Sequence, residues 1–156
     1  MLEQLRVMKG AEVGSYYDLD AVLDEVLARY FPSSVRPAIR WGRKIARKRR
    51  RSIRLGSYYR PSALIRIHPL LNSPQVPLFF VQSIVFHELL HHVLGAAHDR
   101  RFHRHERMFR YHREARAWLR KNLGLLLGSK RHAARVPPVR VELQRAPSPP
   151  TQMALF

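Results

Sequence analysis

The chain has 156 residues, of which 29 are Lys or Arg and 11 are Asp or Glu, so its formal net charge at pH 7 is +18. A hydrophobic content of 46% is enough for one packed core, which excludes wholesale disorder, and the length excludes two large domains. The sequence contains no cysteine, which excludes a disulfide scaffold, a zinc ribbon, an iron–sulfur cluster and a thiol nucleophile. Any metal must therefore be held by His, Asp or Glu.

The first residues, MLEQLRVMKGAEVG, carry charges with no apolar region behind them, so we expect no secretory signal and a cytoplasmic protein. The most apolar stretch, 76–86, is shorter than the roughly 20 residues that a bilayer span needs. It is predicted to be a buried helix. The excess of positive charge predicts a polyanionic partner, with DNA or other nucleic acid ahead of a membrane surface, and hence association with the nucleoid.

The first predicted element is an amphipathic helix that follows the capping-box pattern Ser15-Tyr-Tyr-Asp18 and ends before Pro32. Three segments then alternate apolar residues with Arg and are predicted to form a three-stranded antiparallel sheet: Ala38–Trp41, 52–58 and 63–68. Between the first two strands, seven of the nine residues 43–51 are basic, which predicts a solvated hairpin loop. These basic residues are Arg43, Lys44, Arg47, Lys48, Arg49, Arg50 and Arg51.

A central helix, apolar almost all round, is predicted over 77–94, with Gly95 ending it. A long basic helix is predicted over 101–123. Its expected core face consists of Met108, Phe109, Tyr111, Ala115, Trp118 and Leu119. The sequence thus predicts an α+β domain over 1–128, with the sheet packed on the central helix, followed by a flexible Pro/Arg-rich tail over 129–156.

The motif His87-Glu88-Leu89-Leu90-His91 lies within the predicted central helix. A separation of four residues turns about 40° around a helix, so both imidazoles share one face and can meet one metal ion. Glu88 lies one residue along, where it can take a proton from a metal-bound water. Zinc suits such a site because it lowers the pKa of its water towards about 7. The motif predicts a zinc site for hydrolysis, with Glu88 as the catalytic base.

A catalytic zinc with two His ligands needs a third protein ligand. His98 is the first candidate, because the chain can turn back after Gly95 and present its imidazole from beyond the helix end. His103 and His105 are rival candidates. His92 points about 100° away from His91 and is predicted to have a packing or supporting role.

Four motifs occur in order along the chain: Arg54-Leu-Gly-Ser57, Leu64-Ile-Arg-Ile67, HELLHH at 87–92, and His98-Asp-Arg-Arg-Phe102. Their order resembles that of the SprT-like and YgjP-like metallopeptidases, to which the Spartan proteins are related. The resemblance covers about residues 36–122. One departure is Leu55, which stands where that family often has Trp.

The resemblance implies that His87, His91 and His98 are zinc ligands and that Glu88 is the catalytic residue. Phe102 matches the aromatic residue that follows the third ligand. The family fold, a small antiparallel sheet packed on the active-site helix, is implied as well. An extended peptide could then add as a further strand at a sheet edge over 53–58.

Two basic regions, 43–51 and the Arg-rich helix over 101–121, are candidates for sequence-independent contacts with nucleic-acid phosphates. The C-terminal Gln152-Met-Ala-Leu-Phe156 is similar to the Gln-x-x-Leu-Phe peptide by which bacterial repair and replication proteins bind the DNA sliding clamp. Gln152, Leu155 and Phe156 are therefore candidate partner-binding residues. The Spartan branch degrades proteins crosslinked to DNA and also uses a clamp-binding tail.

Together these features predict a zinc endopeptidase that hydrolyses DNA-bound or DNA-crosslinked proteins in DNA repair. One alternative is a metal-dependent endoribonuclease with three His on a similar helix and turn, although such enzymes lack a Glu directly after the first His. A second alternative is a non-catalytic adaptor that binds DNA and the clamp and uses zinc only for structure.

Overall fold

A computed structural model describes residues 15–43 and 51–128, and within them the protein is α+β, with four α-helices and one three-stranded sheet. The helices are α1 (Leu19–Tyr30), α2 (Leu78–Leu94), α3 (Arg100–Glu106) and α4 (His112–Leu126). The strands are β1 (Ala38–Trp41), β2 (Gly56–Tyr59) and β3 (Leu64–Ile67). The central element is α2, which contacts α1, β2, β3, α3 and α4.

The first helix, α1, buries one apolar face made of Leu19, Val22, Leu23, Val26 and Leu27. Its N-cap is Asp18, whose carboxylate accepts hydrogen bonds from the backbone N–H groups of Asp20 and Ala21. The predicted cap at Ser15 is therefore misplaced. The Ser15 hydroxyl instead donates to the carbonyl of Tyr17 and accepts from Trp41 Nε1 at 3.0 Å.

The sheet has the order β1-β3-β2, with β1 parallel to β3 and β2 antiparallel to β3. The prediction of a wholly antiparallel sheet is therefore wrong, and so is the hairpin over 43–51, because β1 and β2 are not neighbours. The most apolar strand, β3, takes the central place, where Ile65 and Ile67 are almost completely buried. Alternating burial reports that a strand has two faces but says nothing about the direction of its neighbour.

The helix predicted over 77–94 is present as α2, which begins after Pro77 and ends at Gly95. Gly95 has φ of +102°, a conformation that residues with a side chain rarely adopt. Because α2 is apolar on nearly every side, it can be enclosed by the sheet and by three other helices.

The single basic helix predicted over 101–123 is two helices, α3 and α4, separated by a turn at 107–111. The turn places the Phe109 ring against those of Phe86 and Tyr30, with centroids 5.3 and 5.7 Å apart. It also turns Met108 outwards, so that its predicted core position is wrong and 40% of the residue is exposed. An unbroken helical pattern could not report this change of direction.

In the described residues, no helix is both long and apolar enough to cross a bilayer. The tail over 129–156 and most of the basic run lie outside the described residues.

Gly56 is the point where β2 lies closest to α2. A Cβ atom added there would lie 2.5 Å from Glu88 Oε1 and 2.9 Å from Ile84 Cγ2. We expect Gly56→Ala to reduce the free energy of unfolding by about 1–3 kcal/mol, because the buried Glu88 cannot move aside freely. At Gly42 an added Cβ would meet nothing closer than 3.5 Å. Gly42→Ala is therefore the matched control and should cost little in urea unfolding. Equal stability of both variants would contradict the close approach.

Candidate metal centre and cleft

Three imidazoles meet at one point beside α2. His87 and His91 lie one turn apart on this helix, and His98 comes from the loop that follows it. One ligand nitrogen from each of the three lies within 4.8 Å of the others, and the Nε2 atoms of His87 and His98 are 3.3 Å apart. These three residues are close enough to bind a metal ion.

The return of the chain after α2 brings His98 to the other two histidines. Gly95 ends the helix, and Asp99 then caps α3 by accepting a hydrogen bond from the backbone N–H of Phe102 at 2.8 Å. Phe102 is fully buried, and its ring centroid lies 5.0, 4.7 and 4.7 Å from those of His87, His91 and His98. The aromatic residue four positions after His98 thus supports all three rings.

Hydrogen bonds on the far side of two rings fix which nitrogen faces the centre. His87 Nδ1 donates to Glu106 Oε1 at 2.8 Å, and His91 Nδ1 donates to the carbonyl of Gly95 at 3.0 Å. Nε2 of each ring therefore keeps its lone pair for a metal. Tetrahedral zinc with Zn–N bonds of about 2.0–2.1 Å places ligand nitrogens about 3.3 Å apart, so the spacing of His87 and His98 fits such an ion.

The other candidate histidines are held elsewhere. His103 Nδ1 faces Glu106 Oε2 at 3.4 Å, and His105 Nδ1 donates to the carbonyl of Arg101 at 2.8 Å. Neither belongs to the three-histidine cluster. His92 accepts from the Tyr58 hydroxyl at 2.7 Å and donates to the carbonyl of Val35 at 2.8 Å. It joins β2 to the segment before β1, which agrees with its predicted packing role.

Glu88 lies next to the cluster and is only 5% exposed. Its side chain packs against Gly56 on β2. Burial raises the pKa of Glu88 to about 7, against the opposing effects of His87 and Arg54. A carboxyl group with such a pKa can both accept and release a proton near neutral pH.

Sequence reasoning missed Glu106. Its carboxylate accepts from His87 and faces His103, and the hydrogen bond from His87 is the main reason that its pKa is lowered to about 2. Glu106 is 19 residues from His87 and lies on a different helix, so no spacing rule in the sequence connects them. Carboxylates that orient metal-binding histidines in this way are common in metal sites.

An open cleft of about 760 Å³ contains Glu88 and parts of all three histidines. One wall is the strand region 53–58, the other is the start of α4, and α2 forms the floor. Because β2 pairs only with β3, the opposite edge of β2 has no neighbouring strand in the described residues.

The predicted nucleic-acid and partner residues are only partly described. Arg43 and Arg51 are exposed, whereas Lys44, Arg47, Lys48, Arg49 and Arg50 lie outside the described residues, as do Gln152, Leu155 and Phe156. On α3, α4 and the turn between them, eight arginines are exposed: Arg100, Arg101, Arg104, Arg107, Arg110, Arg113, Arg116 and Arg120. Among the Lys and Arg residues in 15–43 and 51–128, only Arg36 forms an ion pair with a carboxylate.

Comparison of the chain with protein-family models, curated proteins and solved structures finds no match.

Glu106→Gln removes the charge that orients His87 while keeping the size of the side chain. We expect the affinity for Zn²⁺ to fall by about 10–100-fold, because the ring loses its charged hydrogen-bond acceptor. A chromogenic chelator in competition with the protein measures this affinity. Glu114→Gln, which removes an exposed carboxylate on α4, is the control. Equal affinities in the two variants would show that Glu106 does not support the metal centre.

Metal binding should also stabilise the fold. Zn²⁺ at about 100 times its Kd should raise the free energy of unfolding by about 2.7 kcal/mol, seen as a higher Tm in thermal unfolding. His98→Ala removes one of three ligands, so most of this increase should disappear. In His105→Ala, which changes a histidine outside the cluster, the increase should be retained. A metal-dependent Tm that is unaffected by His98→Ala would exclude His98 as a ligand.

Proposed function

We propose that the chain is a zinc-dependent endopeptidase that hydrolyses proteins bound or crosslinked to DNA. The observation that carries the proposal is the buried carboxylate of Glu88 beside three converging imidazoles in an open cleft. Zinc is the proposed metal because imidazole nitrogens suit it, and when bound it would polarise a peptide carbonyl and lower the pKa of a water towards about 7.

Glu88 is the proposed proton carrier. Its carboxylate accepts a proton from the attacking water, whose oxygen bonds to the peptide carbon. The same proton is then delivered to the amine that leaves as the C–N bond breaks. Contact with Gly56 limits the movement of this side chain, so the carboxylate is held in place before substrate arrives.

The edge of β2 that has no partner strand in the described residues is the proposed binding site for the substrate backbone. Strand region 53–58 lines the cleft, so an extended peptide that pairs with this edge would lie across Glu88. Main-chain hydrogen bonds depend little on side chains. This explains how an unfolded segment of many different proteins could be accepted.

Recruitment to DNA is proposed from the charge distribution. The exposed arginines of α3 and α4 form no ion pairs with carboxylates of the described residues, so they are available to phosphates. The cytoplasmic, nucleoid-associated location and the binding of the C-terminal peptide to a sliding clamp are parts of the same proposal. The sequence resemblance to SprT-like metallopeptidases supports both the proposed peptidase activity and the proposed recruitment to DNA.

Glu88→Gln tests the mechanism. The variant should retain zinc and single-stranded DNA binding, because neither uses the carboxylate, yet cleavage of a protein crosslinked to single-stranded DNA should fall by about 10²–10⁴-fold. Cleavage is followed by gel electrophoresis and mass spectrometry, with Glu114→Gln as the control. Undiminished cleavage by Glu88→Gln would refute its role.

The same purified protein, tested with RNA as well as with protein substrates, could give two results that would favour the alternative functions. Cleavage of RNA that is abolished by His98→Ala would identify an endoribonuclease. Binding of zinc and DNA with no hydrolysis of protein or RNA would identify an adaptor.

A further inference from the structure

The cleft extends beyond Glu88, along the N-terminal half of α2. Ile84 and Phe80 lie one and two turns from Glu88 on the same helix, which is about 6 and 12 Å along its axis. Ser83 lines the cleft between them. This part of the cleft contributes nothing to the metal centre.

The wall of this extension formed by α4 and the turn before it is also apolar. Phe109 and Ala115, both buried, and the half-buried Leu119 line it from the turn before α4 and from α4 itself. At the mouth stand two exposed arginines, Arg54 and Arg116. Phe80, Phe109 and Ala115 are almost fully buried, so the accessible lining of the extension is mainly Ser83, Ile84 and Leu119. The extension is therefore a mostly apolar pocket with a positively charged opening.

Two residues that line the pocket, Phe80 and Phe109, pack against aromatic residues of the protein interior. Phe80 stacks on Trp118 with ring centroids 4.4 Å apart, and Phe109 packs on Phe86 at 5.3 Å. A pocket whose walls are already packed loses little entropy when it is filled.

We propose that this pocket, which we call the Phe80 pocket, binds a large apolar side chain of the substrate, such as Leu or Phe. The inference rests on the proposed peptidase function and names its preferred substrate. Because the main chain of the peptide is proposed to pair with β2, the pocket interior is reached by one of its side chains, and a long apolar one fills it best.

The direction of the bound peptide follows from the chemistry. Glu88 gives its proton to the leaving amine, so the residue that supplies this amine lies nearest to Glu88. Phe80 and Ile84 precede Glu88 on α2, away from His91 and His98, so the Phe80 pocket adjoins Glu88 rather than the centre of the three histidines. The apolar residue is therefore the one that follows the cleaved bond. A Lys or Arg there would be disfavoured by Arg54 and Arg116 at the mouth.

Peptides that differ only at this position test the proposal. With the zinc-loaded full chain, kcat/KM should be at least about tenfold higher with Leu or Phe than with Ala, and lowest with Lys. The bond that is cut is identified by mass spectrometry. A higher rate with Glu than with Leu, or equal rates throughout, would overturn the proposal.

Ser83→Leu adds bulk inside the pocket and removes only a local hydrogen bond, from the Ser83 hydroxyl to the carbonyl of Phe80. It should remove the preference for Phe over Ala. Leu119→Ala widens the pocket instead and should raise the rate with Trp relative to Leu. Leu123→Ala, one turn further along α4 at an exposed position outside the cleft, is the matched control and should preserve the wild-type preference. An unchanged preference in both Ser83→Leu and Leu119→Ala would overturn the proposal.

Binding separates this proposal from the peptidase function. If no peptide or protein is cleaved, the proposed function fails. The affinity of Glu88→Gln for the Phe and Ala peptides, measured by fluorescence anisotropy, then tests whether the pocket binds an apolar side chain, independently of any cleavage. Tighter binding of the Phe peptide that Ser83→Leu abolishes supports the pocket, and equal affinities overturn it.

Discussion

The candidate site depends on two hydrogen bonds that turn the rings of His87 and His91 so that their lone pairs face His98. One acceptor, the carbonyl of Gly95, is available because α2 ends there. The other, Glu106, belongs to a helix that the chain reaches only after passing through His98. The loop and α3 are thus needed both to supply the third imidazole and to orient the first two. Loss of either would disturb all three rings together.

Much of this site could be predicted from the sequence. A separation of four residues places His87 and His91 on one helical face under local rules alone, and Gly95 signals the turn that returns His98. Glu106 could not be found in this way, because its contact with His87 depends on how α3 packs against α2. The Phe80 pocket was missed for a similar reason. Its walls come from two helices, and periodicity predicts that both faces are buried without predicting a gap between them.

The fold, like the site, has features that local sequence patterns predict and features that depend on tertiary packing. The bounds of α2 and the existence of three strands follow from local patterns, whereas strand order and direction depend on which segment is apolar enough to be central. β3 takes that place, with β1 parallel and β2 antiparallel to it, and no local pattern in β1 specifies its direction. The break between α3 and α4 also depends on tertiary packing, because Phe109 reaches the aromatic cluster of Tyr30 and Phe86 only if the helix is interrupted.

Because β1 and β2 are not neighbours in the mixed sheet, the length and charge of the segment between them can change without changing the strand pairing. Trp41 at the end of β1 and Gly56 at the start of β2 both lie opposite Ile67, on either side of it, so they are about 10 Å apart. A few residues would bridge this gap, yet the chain uses all of 42–55, including the basic run. Since closing a longer loop adds little free energy, 43–51 can grow, shrink or lose charge while the sheet keeps its pairing and 53–55 keep their place in the cleft wall. The charge of 43–51, the region proposed to contact polyanions, can therefore change while the three-histidine cluster is kept.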